Sequence, residues 1–417
     1  MSSMRKLKYD IAIIGAGAFT GFFASFVNEA GAAGNAGIIA VEKLPRPFKK
    51  IAASGNGRCN YSNENFSAGD YISLEPDPTF ERTAFDSLRT LDLKKFFGDH
   101  LVPSRVDEYG RLFPFTNSSK TIGEFFEHNL KQSGIETLCD TLCDEAVPAS
   151  DGSGFSIGCI NPKTGEQTSI YSDILIFACG GAAYPQLGSG GASFELIKKF
   201  GHSVIGPVPG ICALETSEKP FSKLAGLKLE ARLKYKDFDR TGEILFTDYG
   251  ISGPNVLYLS SRITRDLFLG EKPVVTIDFL PADQLSAKYF SEAAAAGRYN
   301  SPADIFGGAL NRDFLKAFIR AAGMDRLNFD AALIQRLHGE LKNYKAGILR
   351  ARPFTEAQVS LGGVRCAEIT PGSLESKLVK NLFFAGEVID YTGGCGGYNI
   401  HFAAACARSL VKRLFIK

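Results

Sequence analysis

The chain has 417 residues, of which 45% are hydrophobic and 22% charged, and its formal net charge is +2. This length predicts two or three domains, or one large domain with an insertion. The near-neutral charge gives no reason to expect a nucleic-acid partner, and no apolar stretch approaches the roughly 18–20 residues of a membrane span. Nine cysteines lack the paired spacing of a zinc site, so we expect no metal and mostly reduced thiols in a cytoplasmic protein.

The first predicted elements form a βαβ unit. A short apolar run at 9–14 is typical of a buried parallel strand, and it ends at the glycine-rich turn GAGAFTG, 15–21. An apolar helix over 22–30 and a second strand over 37–41 follow. The order of strand, glycine turn, helix and strand is typical of dinucleotide-binding folds.

The glycine turn carries a dinucleotide-binding fingerprint whose third glycine comes one position later than usual. Gly15 permits the tight turn, and Gly17 lets a pyrophosphate approach the helix N-terminus, where N–H groups and the dipole favour an anion. Gly21 stands for the third glycine, which serves close helix packing. Glu42 would accept hydrogen bonds from a ribose, and its neighbour Lys43 is a further expected cofactor contact. The alternative is an ordinary turn between a strand and a helix.

The segment ASGNGRCN at 53–60 has an unusual composition. Its eight positions hold two glycines, two asparagines, an arginine and a cysteine, and none carries a large apolar side chain for a core. This composition indicates a role other than packing in a core.

The middle of the chain changes character. Alternating apolar and polar residues within 204–260 predict an antiparallel sheet or a small barrel. Residues 282–345 have helical patterns separated by loops, which predict three or four helices. Strand-like sequence returns at 354–364.

Two later strands and a last helix carry further glycine motifs. The predicted strand at 174–178 ends in Cys-Gly-Gly, and the one at 381–385 ends in Gly-Glu. A glycine loop at 393–397 precedes a predicted helix over 400–415. A glycine loop before a helix N-terminus suits an anionic or electron-rich partner, although a packing loop is the alternative.

Several of these motifs recur, in this order, in one known family. They are IIGAGAFTG near the start, SGNGRCNYSN at 54–63, GRLFPFTNSS at 110–119, ACGGAAYPQLGS at 178–189, GEILFTDYGISGP at 242–254, and the segment at 362–399 that ends in GGCGGYN. The chain resembles the bacterial aminoacetone-oxidase family of FAD-binding enzymes, which is related to a bile-acid-dehydroxylation flavoprotein. The resemblance spans nearly the whole chain.

The resemblance implies an α/β fold with a Rossmann-like FAD-binding domain assembled from both chain ends. We expect residues 1–200 and 359–417 to form this domain. The insertion at 201–358 would be a β domain with a helical cap at about 282–345, which covers the flavin and selects the substrate. FAD in an extended conformation is the expected cofactor.

The expected cofactor contacts all lie in the glycine-rich segments. They are Gly15, Gly17, Gly21, Glu42, Lys43, Ser54, Gly55, Asn56, Gly57, Arg58, Cys59, Asn60, Gly180, Gly181, Gly386, Glu387, Gly396, Gly397, Tyr398 and Asn399. The resemblance places the segment at 53–60 alongside the flavin, where its glycines admit the ring and its asparagines hydrogen-bond polar ring edges. The glycine loop at 393–397 would face the pyrimidine edge of the isoalloxazine.

Three residues are candidates for catalysis, each with a structural alternative. Arg58 would meet the pyrophosphate or a substrate carboxylate, or else form an internal salt bridge. Cys59 would be a redox thiol, activated by Arg58 and paired with Cys395, although a packing role is favoured because paired cysteines at short spacing are absent from the sequence. His401 is the one histidine adjacent to a flavin motif, and a plain helix-surface position is its alternative.

Two departures from the family put transfer of a relative's substrate in doubt. Asp248 stands where relatives often have histidine, and Ala192 stands where they often have an acidic residue.

These observations predict an FAD-dependent oxidoreductase that transfers hydride between the flavin and a small or medium organic substrate. The sequence contains no second dinucleotide fingerprint, so NAD(P)H would act, if at all, as a transient reductant. The alternatives are a flavin-dependent RNA-modifying or RNA-binding protein and a flavin-binding regulator without turnover. The oligomeric state is not predicted.

Overall fold

The computed structural model describes residues 5–149, 152–218, 221–297 and 299–416. The chain divides into two compact units. The sheet unit runs up to Val208 and resumes at Gln358, and the barrel unit runs from Pro209 to Ala357.

The first stretch of the sheet unit contains most of its strands and helices. Its strands are β1 (Arg5–Ile14), β2 (Ile38–Val41), β3 (Ser62–Asn63), β4 (Tyr71–Ile72), β5 (Ser104–Val106), β6 (Arg111–Pro114), β7 (Glu136–Leu138), β8 (Leu142–Pro148), β9 (Phe155–Ile160), β10 (Gln167–Phe177) and β11 (Val204–Gly210, which ends in the barrel unit). Its helices are α1 (Ala18–Glu29), α2 (Lys49–Gly57), α3 (Pro78–Arg89), α4 (Leu93–Asp99), α5 (Ser119–Gln132) and α6 (Ala192–Lys198).

The barrel unit follows, and then the chain returns to the sheet unit. The barrel unit holds β12 (Leu214–Thr216), β13 (Lys228–Tyr235), β14 (Phe238–Phe246), β15 (Gly250–Ser252), α7 (Pro254–Phe268), β16 (Val274–Asp278), α8 (Ala287–Ala295), α9 (Pro302–Phe306), α10 (Arg312–Ala321), α11 (Ala331–Lys342) and β17 (Tyr344–Ala351). The returning chain adds β18 (Val359–Val364), β19 (Leu382–Phe384), β20 (Thr392–Gly393) and α12 (Tyr398–Phe415).

A seven-stranded sheet is the centre of the sheet unit. Its order is β7-β2-β1-β10-β9-β8, and β19 also pairs with β10. The pairs that join β7, β2, β1, β10 and β19 are parallel, whereas β9 and β8 add antiparallel pairs. Strand β19 comes from the last part of the chain, so both chain ends build one sheet. The predicted α/β fold with a Rossmann-like domain is confirmed.

The core of the sheet unit explains why its first helix packs there. Helix α1 buries Phe22 and Phe23 completely, and the ring of Phe22 meets that of Phe126 on α5 edge to face at 4.8 Å. Strand β2 is buried along its whole length, as its run of apolar residues predicts. Burial of large apolar side chains is the main stabilising contribution of such a layer.

The barrel unit contains a closed barrel of six strands in the order β12-β15-β14-β13-β16-β17. In β13 the buried residues Ala231, Leu233 and Tyr235 alternate with more exposed ones, which is the pattern of a strand with one face inward. Helices α8 to α11 contribute to the same apolar core. The sequence-based expectations of a small barrel and of helices within 282–345 are confirmed.

One local prediction is corrected. The helix expected at 22–30 begins at Ala18, because Gly17 is its N-cap and the turn leads directly into the first helical residue. Helix α2 reaches into the segment at 53–60, but the backbone leaves the helical conformation at Ser54, Gly55 and Asn56. Among the described residues, no helix is both long and apolar enough to span a bilayer.

Candidate cofactor site

Four parallel strands end level at one edge of the sheet. In the β1–β2, β1–β10 and β10–β19 pairs, Ile14 is opposite Val41 and Phe177, and Phe177 is opposite Phe384. The residues after each strand therefore emerge together. They are Gly15, Glu42, the pair Gly180 and Gly181, and the pair Gly386 and Glu387. The carboxyl edge of a parallel sheet is the place where doubly wound folds bind ligands.

The turn after β1 has the conformation that a dinucleotide requires. Gly15 has φ of +107°, and a Cβ atom there would lie 2.6 Å from the Ala178 carbonyl oxygen, so only glycine fits. A Cβ at Gly17 would meet nothing within 4 Å, and no side chain caps the N-terminus of α1. Open space beside uncapped N–H groups is what an anionic pyrophosphate needs, so these residues fit the expected cofactor.

Gly21 is required for packing between helices, and its contact with the cofactor stays a prediction. A Cβ atom there would lie 2.5 Å from the Phe126 ring on α5. The usual third-glycine position is Thr20, whose buried hydroxyl donates to the Gly15 carbonyl oxygen at 2.7 Å. The helix thus tolerates threonine at 20 because that hydroxyl is satisfied by the turn itself.

Glu42 is held in place by backbone groups. Its Oε2 accepts from the Ala16 N–H at 3.1 Å, and its Oε1 accepts from the Leu44 N–H at 2.9 Å. The carboxylate is half-buried at the carboxyl end of β2, beside the fingerprint turn. This is the position at which an acidic residue binds ribose in dinucleotide folds, and ribose binding by Glu42 and a contact by Lys43 stay predictions.

Glu387 is bound by protein groups at both carboxylate oxygens. Its Oε1 accepts from the Ser360 N–H at 2.9 Å and the Ser360 hydroxyl at 3.2 Å, and its Oε2 forms an ion pair with Lys50 at 2.9 Å. A Cβ at Gly181 would lie 1.9 Å from Ser360 Oγ and 2.8 Å from Glu387 Oε1. Glu387 thus links α2 to β18 and lies beside the glycines after β10, in addition to any cofactor contact.

The segment at 53–60 folds into a tight turn with an unusual backbone. Gly55, Asn56, Gly57 and Cys59 all have φ between +55° and +79°. The Cys59 N–H donates to the Ser54 carbonyl oxygen at 3.0 Å, which closes the turn. Non-glycine residues at positive φ store strain and are frequent at functional sites.

Arg58 contacts a backbone carbonyl and an aromatic ring, and its contact with a pyrophosphate or a substrate carboxylate stays a prediction. Its Nε donates to the Gly55 carbonyl oxygen at 3.2 Å, and its guanidinium lies over the Phe113 ring at 4.9 Å. The internal salt bridge is not among the ion pairs of the described residues. The arginine instead braces the turn through a backbone acceptor and a cation–π contact.

Cys59 is a buried thiol rather than an activated one. Its exposure is 0%, and burial raises the pKa of the thiol to about 12, only partly offset by a hydrogen bond with Ser54. The expectation that Arg58 lowers this pKa is wrong, because the guanidinium points to Gly55 and Phe113. All nine cysteines lie in the described residues and none forms a disulfide, so Cys59 and Cys395 are not bonded.

The glycine loop before α12 is attached to the segment at 53–60. With the Asn60 amide oriented to match its neighbours, its nitrogen donates to the Ser62 carbonyl oxygen at 2.9 Å and its oxygen accepts from the Gly397 N–H at 3.1 Å. Asn60 therefore joins two loops, whereas the sequence suggested a contact with a ring edge. Asn399 closes the glycine loop by exchanging hydrogen bonds with Gly393 at 2.9 and 2.7 Å.

Helix α12 follows two glycines with positive φ and has no side-chain cap at its N-terminus. Gly396 and Gly397 have φ of +140° and +94°, and no side chain caps the helix. Tyr398, the first helical residue, is buried, and its carbonyl oxygen accepts from the Tyr71 hydroxyl at 3.2 Å. Uncapped N–H groups at this helix end suit an electron-rich partner.

His401 is buried. The alternative interpretation, in which it lies on the helix surface, is therefore wrong. It is 3% exposed, its Nδ1 lies 2.6 Å from Ser62 Oγ, and its Nε2 lies 3.2 Å from the Leu88 carbonyl oxygen. A carbonyl only accepts, so Nε2 carries the proton and Nδ1 accepts from the Ser62 hydroxyl. Burial lowers the pKa of the imidazole to about 4, so the ring is neutral at pH 7.

Sequence reasoning missed several polar residues that organise the site. Lys50 and Ser360 bind Glu387, and the buried Asp390 accepts N–H groups from Leu74 and Gly362 at 3.0 and 3.1 Å. Burial raises the pKa of the Asp390 carboxyl to about 6. Lys50 and Ser360 lie outside the recurring motifs, whereas Asp390 lies within the one at 362–399. Their partners are distant in sequence, so no local pattern indicates these contacts. The described residues contain no cluster suited to a metal ion.

Comparison with known proteins identifies the family. Residues 9–411 match the family described as HI0933-like protein Rossmann domain. The chain belongs to this family. A 3-dehydro-bile acid delta(4,6)-reductase from Clostridium scindens is 30% identical over 407 residues, which cover 95% of this chain and 96% of the relative. A ribosomal RNA dihydrouridine synthase from Escherichia coli is 26% identical over 421 residues, which cover 97% and 98%.

A solved structure has the same fold as this HI0933-like protein. It is a 3-ketosteroid-Δ4-(5α)-dehydrogenase from Rhodococcus jostii, with a TM-score of 0.51 and 13% identity over 98% of this chain and 97% of that one. The expected resemblance to FAD-binding enzymes and the expected enzyme class are confirmed: the chain is an FAD-dependent oxidoreductase.

Proposed function

We propose that this enzyme adds two hydrogens across a carbon–carbon double bond that is conjugated to a carbonyl group. The observation that carries the proposal is the pair of relatives that match over nearly the whole chain. One is named for reduction of a 3-dehydro-bile acid at delta(4,6), and the other for synthesis of dihydrouridine. A 3-oxo steroid with these double bonds and a uracil ring share an alkene conjugated to a carbonyl, and both gain a hydride and a proton.

FAD, when bound, supplies or accepts the hydride. The turn at Gly15 and Gly17 and the N-terminus of α1 are suited to hold the pyrophosphate, and Glu42 to orient the ribose. The uncapped N-terminus of α12 would favour negative charge on the electron-rich partner beside it.

Two buried titratable groups around the glycine loops, Cys59 and His401, are neutral at pH 7. The pKa of the Cys59 thiol is raised to about 12 and that of the His401 imidazole is lowered to about 4, in both cases by burial. Neither group supplies a proton by changing its charge near neutral pH. The proton that accompanies the hydride therefore comes from solvent or from a group other than these two.

The substrate that we propose first is a small or medium organic molecule of the 3-oxo-4,6-diene type, with NAD(P)H as a transient reductant. An RNA uridine is the second candidate, supported by the Escherichia coli relative, whose match extends over 97% of this chain. The formal charge of +2 gives the whole chain little attraction for a polyanion, which favours the first candidate.

Anaerobic stopped-flow spectroscopy tests the proposal. The purified flavoprotein is first mixed with NADH or NADPH, and the reduced enzyme is then mixed with a 3-oxo-4,6-diene bile acid or with ribosomal RNA that lacks dihydrouridine. We expect rapid flavin reoxidation by the diene and none by the saturated 3-oxo bile acid, which is the matched control. Reoxidation by RNA alone would select the second candidate, and reoxidation by none of them would exclude this reaction class.

A further inference from the structure

Lys50 lies where three predicted cofactor segments meet. Its ammonium is 2.9 Å from Glu387 Oε2, in the segment after β19. Two residues earlier, the Phe48 N–H donates to the Ala16 carbonyl oxygen at 2.9 Å, which fixes the start of α2 on the fingerprint turn. A Cβ atom at Gly181 would lie 2.8 Å from Glu387 Oε1, so the glycines after β10 border the same carboxylate.

The side chain of Lys50 is held in place and still accessible. It is 29% exposed, whereas the Glu387 side chain is 13% exposed. An ammonium has three N–H donors. Among the described residues, Lys50 uses one of them, which donates to Glu387. The remaining donors are therefore available to an acceptor that enters between the glycine segments.

Two other cations near these segments, Arg58 and Lys49, are less suited to that role. Arg58 is turned onto the Gly55 carbonyl oxygen and the Phe113 ring. Lys49, the neighbour of Lys50, has no recorded ion pair among the described residues to fix it. The N-terminus of α1 supplies only about half an elementary charge. A pyrophosphate carries more negative charge than that, so a fixed cation is expected beside it.

We infer that Lys50 binds the pyrophosphate of FAD and that Glu387, itself held by Ser360, positions the lysine for this contact. The inference rests on FAD as the cofactor and not on the proposed substrate. It assigns Glu387 a positioning role, since Ser360 binds one of its carboxylate oxygens and Lys50 the other.

The test compares FAD retention in Lys50→Met with that in Lys49→Met, which removes the same charge one residue earlier. FAD release from the holoprotein is followed by flavin fluorescence after dilution at several salt concentrations. We expect FAD to bind about 10- to 100-fold more weakly in Lys50→Met, with a smaller salt dependence, and Lys49→Met to stay within about twofold of the wild type. Lys50→Arg is expected to recover much of the loss.

Phosphorus NMR of the bound FAD locates the effect. The pyrophosphate resonances should shift in Lys50→Met and not in Lys49→Met, while the flavin midpoint potential stays near that of the wild type. Unchanged resonances with an altered potential would place Lys50 at the flavin ring and overturn the inference.

The double variant separates cofactor binding from simple neutralisation of Glu387. If Lys50 only neutralises this carboxylate, Glu387→Gln will abolish the effect of Lys50→Met on FAD retention, and the inference fails. If Lys50 binds the pyrophosphate and Glu387 positions it, Lys50→Met will still weaken FAD binding in the Glu387→Gln background, but by a smaller factor than in the wild-type background. Thermal unfolding of each variant checks that the sheet unit remains folded.

Discussion

At the scale of single residues, burial decides what the reactive side chains of the site can do. Cys59 has a sequence context that favours activation, since an arginine precedes it, yet its thiol is fully buried and the arginine points elsewhere. The desolvation of the thiolate outweighs a charge that does not face it. Sequence proximity to a charge is therefore a poor guide to a pKa.

Cys59→Ser is expected to retain FAD and the reducibility of the flavin. Serine keeps the small size and the hydrogen-bonding group of the side chain but cannot undergo redox cycling. Anaerobic titration with dithionite measures this, and both proteins should take up two electrons per flavin. Uptake of four electrons by the wild type and two by the variant would show that thiols take part in the redox chemistry.

Glu42→Ala is expected to weaken FAD retention by about 1.5–3 kcal/mol, the typical contribution of a hydrogen bond to a charged group. The variant also loses the two acceptors that hold the Ala16 and Leu44 N–H groups. Glu42→Gln, which keeps one acceptor oxygen, should give a smaller loss. Fluorescence titration of the apoprotein with FAD gives both affinities, and an unchanged affinity in Glu42→Ala would contradict ribose binding.

His401 is expected to make the protein less stable at acid pH. Burial lowers its folded-state pKa to about 4 from the ordinary histidine value of about 6.5, so the unfolded chain binds more protons between these values. The stability from neutral His401 is present above pH 6.5 and is lost as pH falls through 4, by about 3 kcal/mol in total. Urea unfolding from pH 7 to pH 4 should show this loss relative to His401→Gln.

His128→Gln is the control for that experiment, because His128 is an exposed histidine of α5. Its difference from the wild type should vary much less with pH. If His401→Gln and the wild type lose stability in parallel, His401 is not the group that titrates.

At the scale of elements, close approach of α1 and α5 depends on a glycine that the fingerprint alone does not explain. Gly21 faces the fully buried Phe126 ring, which also meets Phe22. The third glycine is therefore at position 21 and not at position 20 because α5 packs against α1 at position 21. The contact sets the position of α1, whose N-terminus lies at the fingerprint turn.

Gly21→Ala is expected to destabilise the protein by about 1–3 kcal/mol, the usual cost of overpacking a core. Gly123 on α5 is the matched control, since a Cβ atom there would meet nothing within 4 Å. Gly123→Ala should stabilise the helix by about 0.5–1 kcal/mol because alanine has the higher helix propensity. Chemical denaturation measures both changes, and Phe126→Leu should partly restore the Gly21→Ala variant.

At the scale of the whole molecule, each compact unit has its own apolar core. The barrel unit closes a six-stranded barrel and packs helices α7 to α11 on the same core, while the sheet unit builds its sheet from both chain ends. The proposed cofactor residues all belong to the sheet unit. The predicted cofactor contacts therefore lie outside the barrel unit.

Residues 209–357, produced alone, are expected to fold cooperatively and to bind no flavin. This segment contains a closed barrel, which has no exposed sheet edges. It also has an apolar core of its own. Circular dichroism with thermal unfolding measures the folding, and absorbance near 450 nm measures the flavin. An unfolded product would show that the barrel depends on the sheet unit.

The sequence by itself determined the features that depend on neighbouring residues. The apolar run of β2, the alternation in β13 and the glycine turn before α1 follow from local periodicity and from the backbone freedom of glycine, and each predicted its element. The recurring motifs also indicated the family and the cofactor. These are short-range patterns, so they can be identified from the sequence alone.

Only the tertiary structure decided the roles that depend on distant partners. Lys50 binds a residue 337 positions away, and His401 binds Ser62 across 339 positions, so neither pairing has a local signal. Burial likewise made Cys59 and His401 neutral, since desolvation depends on every segment packed around a group. The level ends of β1, β2, β10 and β19 bring these distant segments to one edge of the sheet, and that arrangement creates the site.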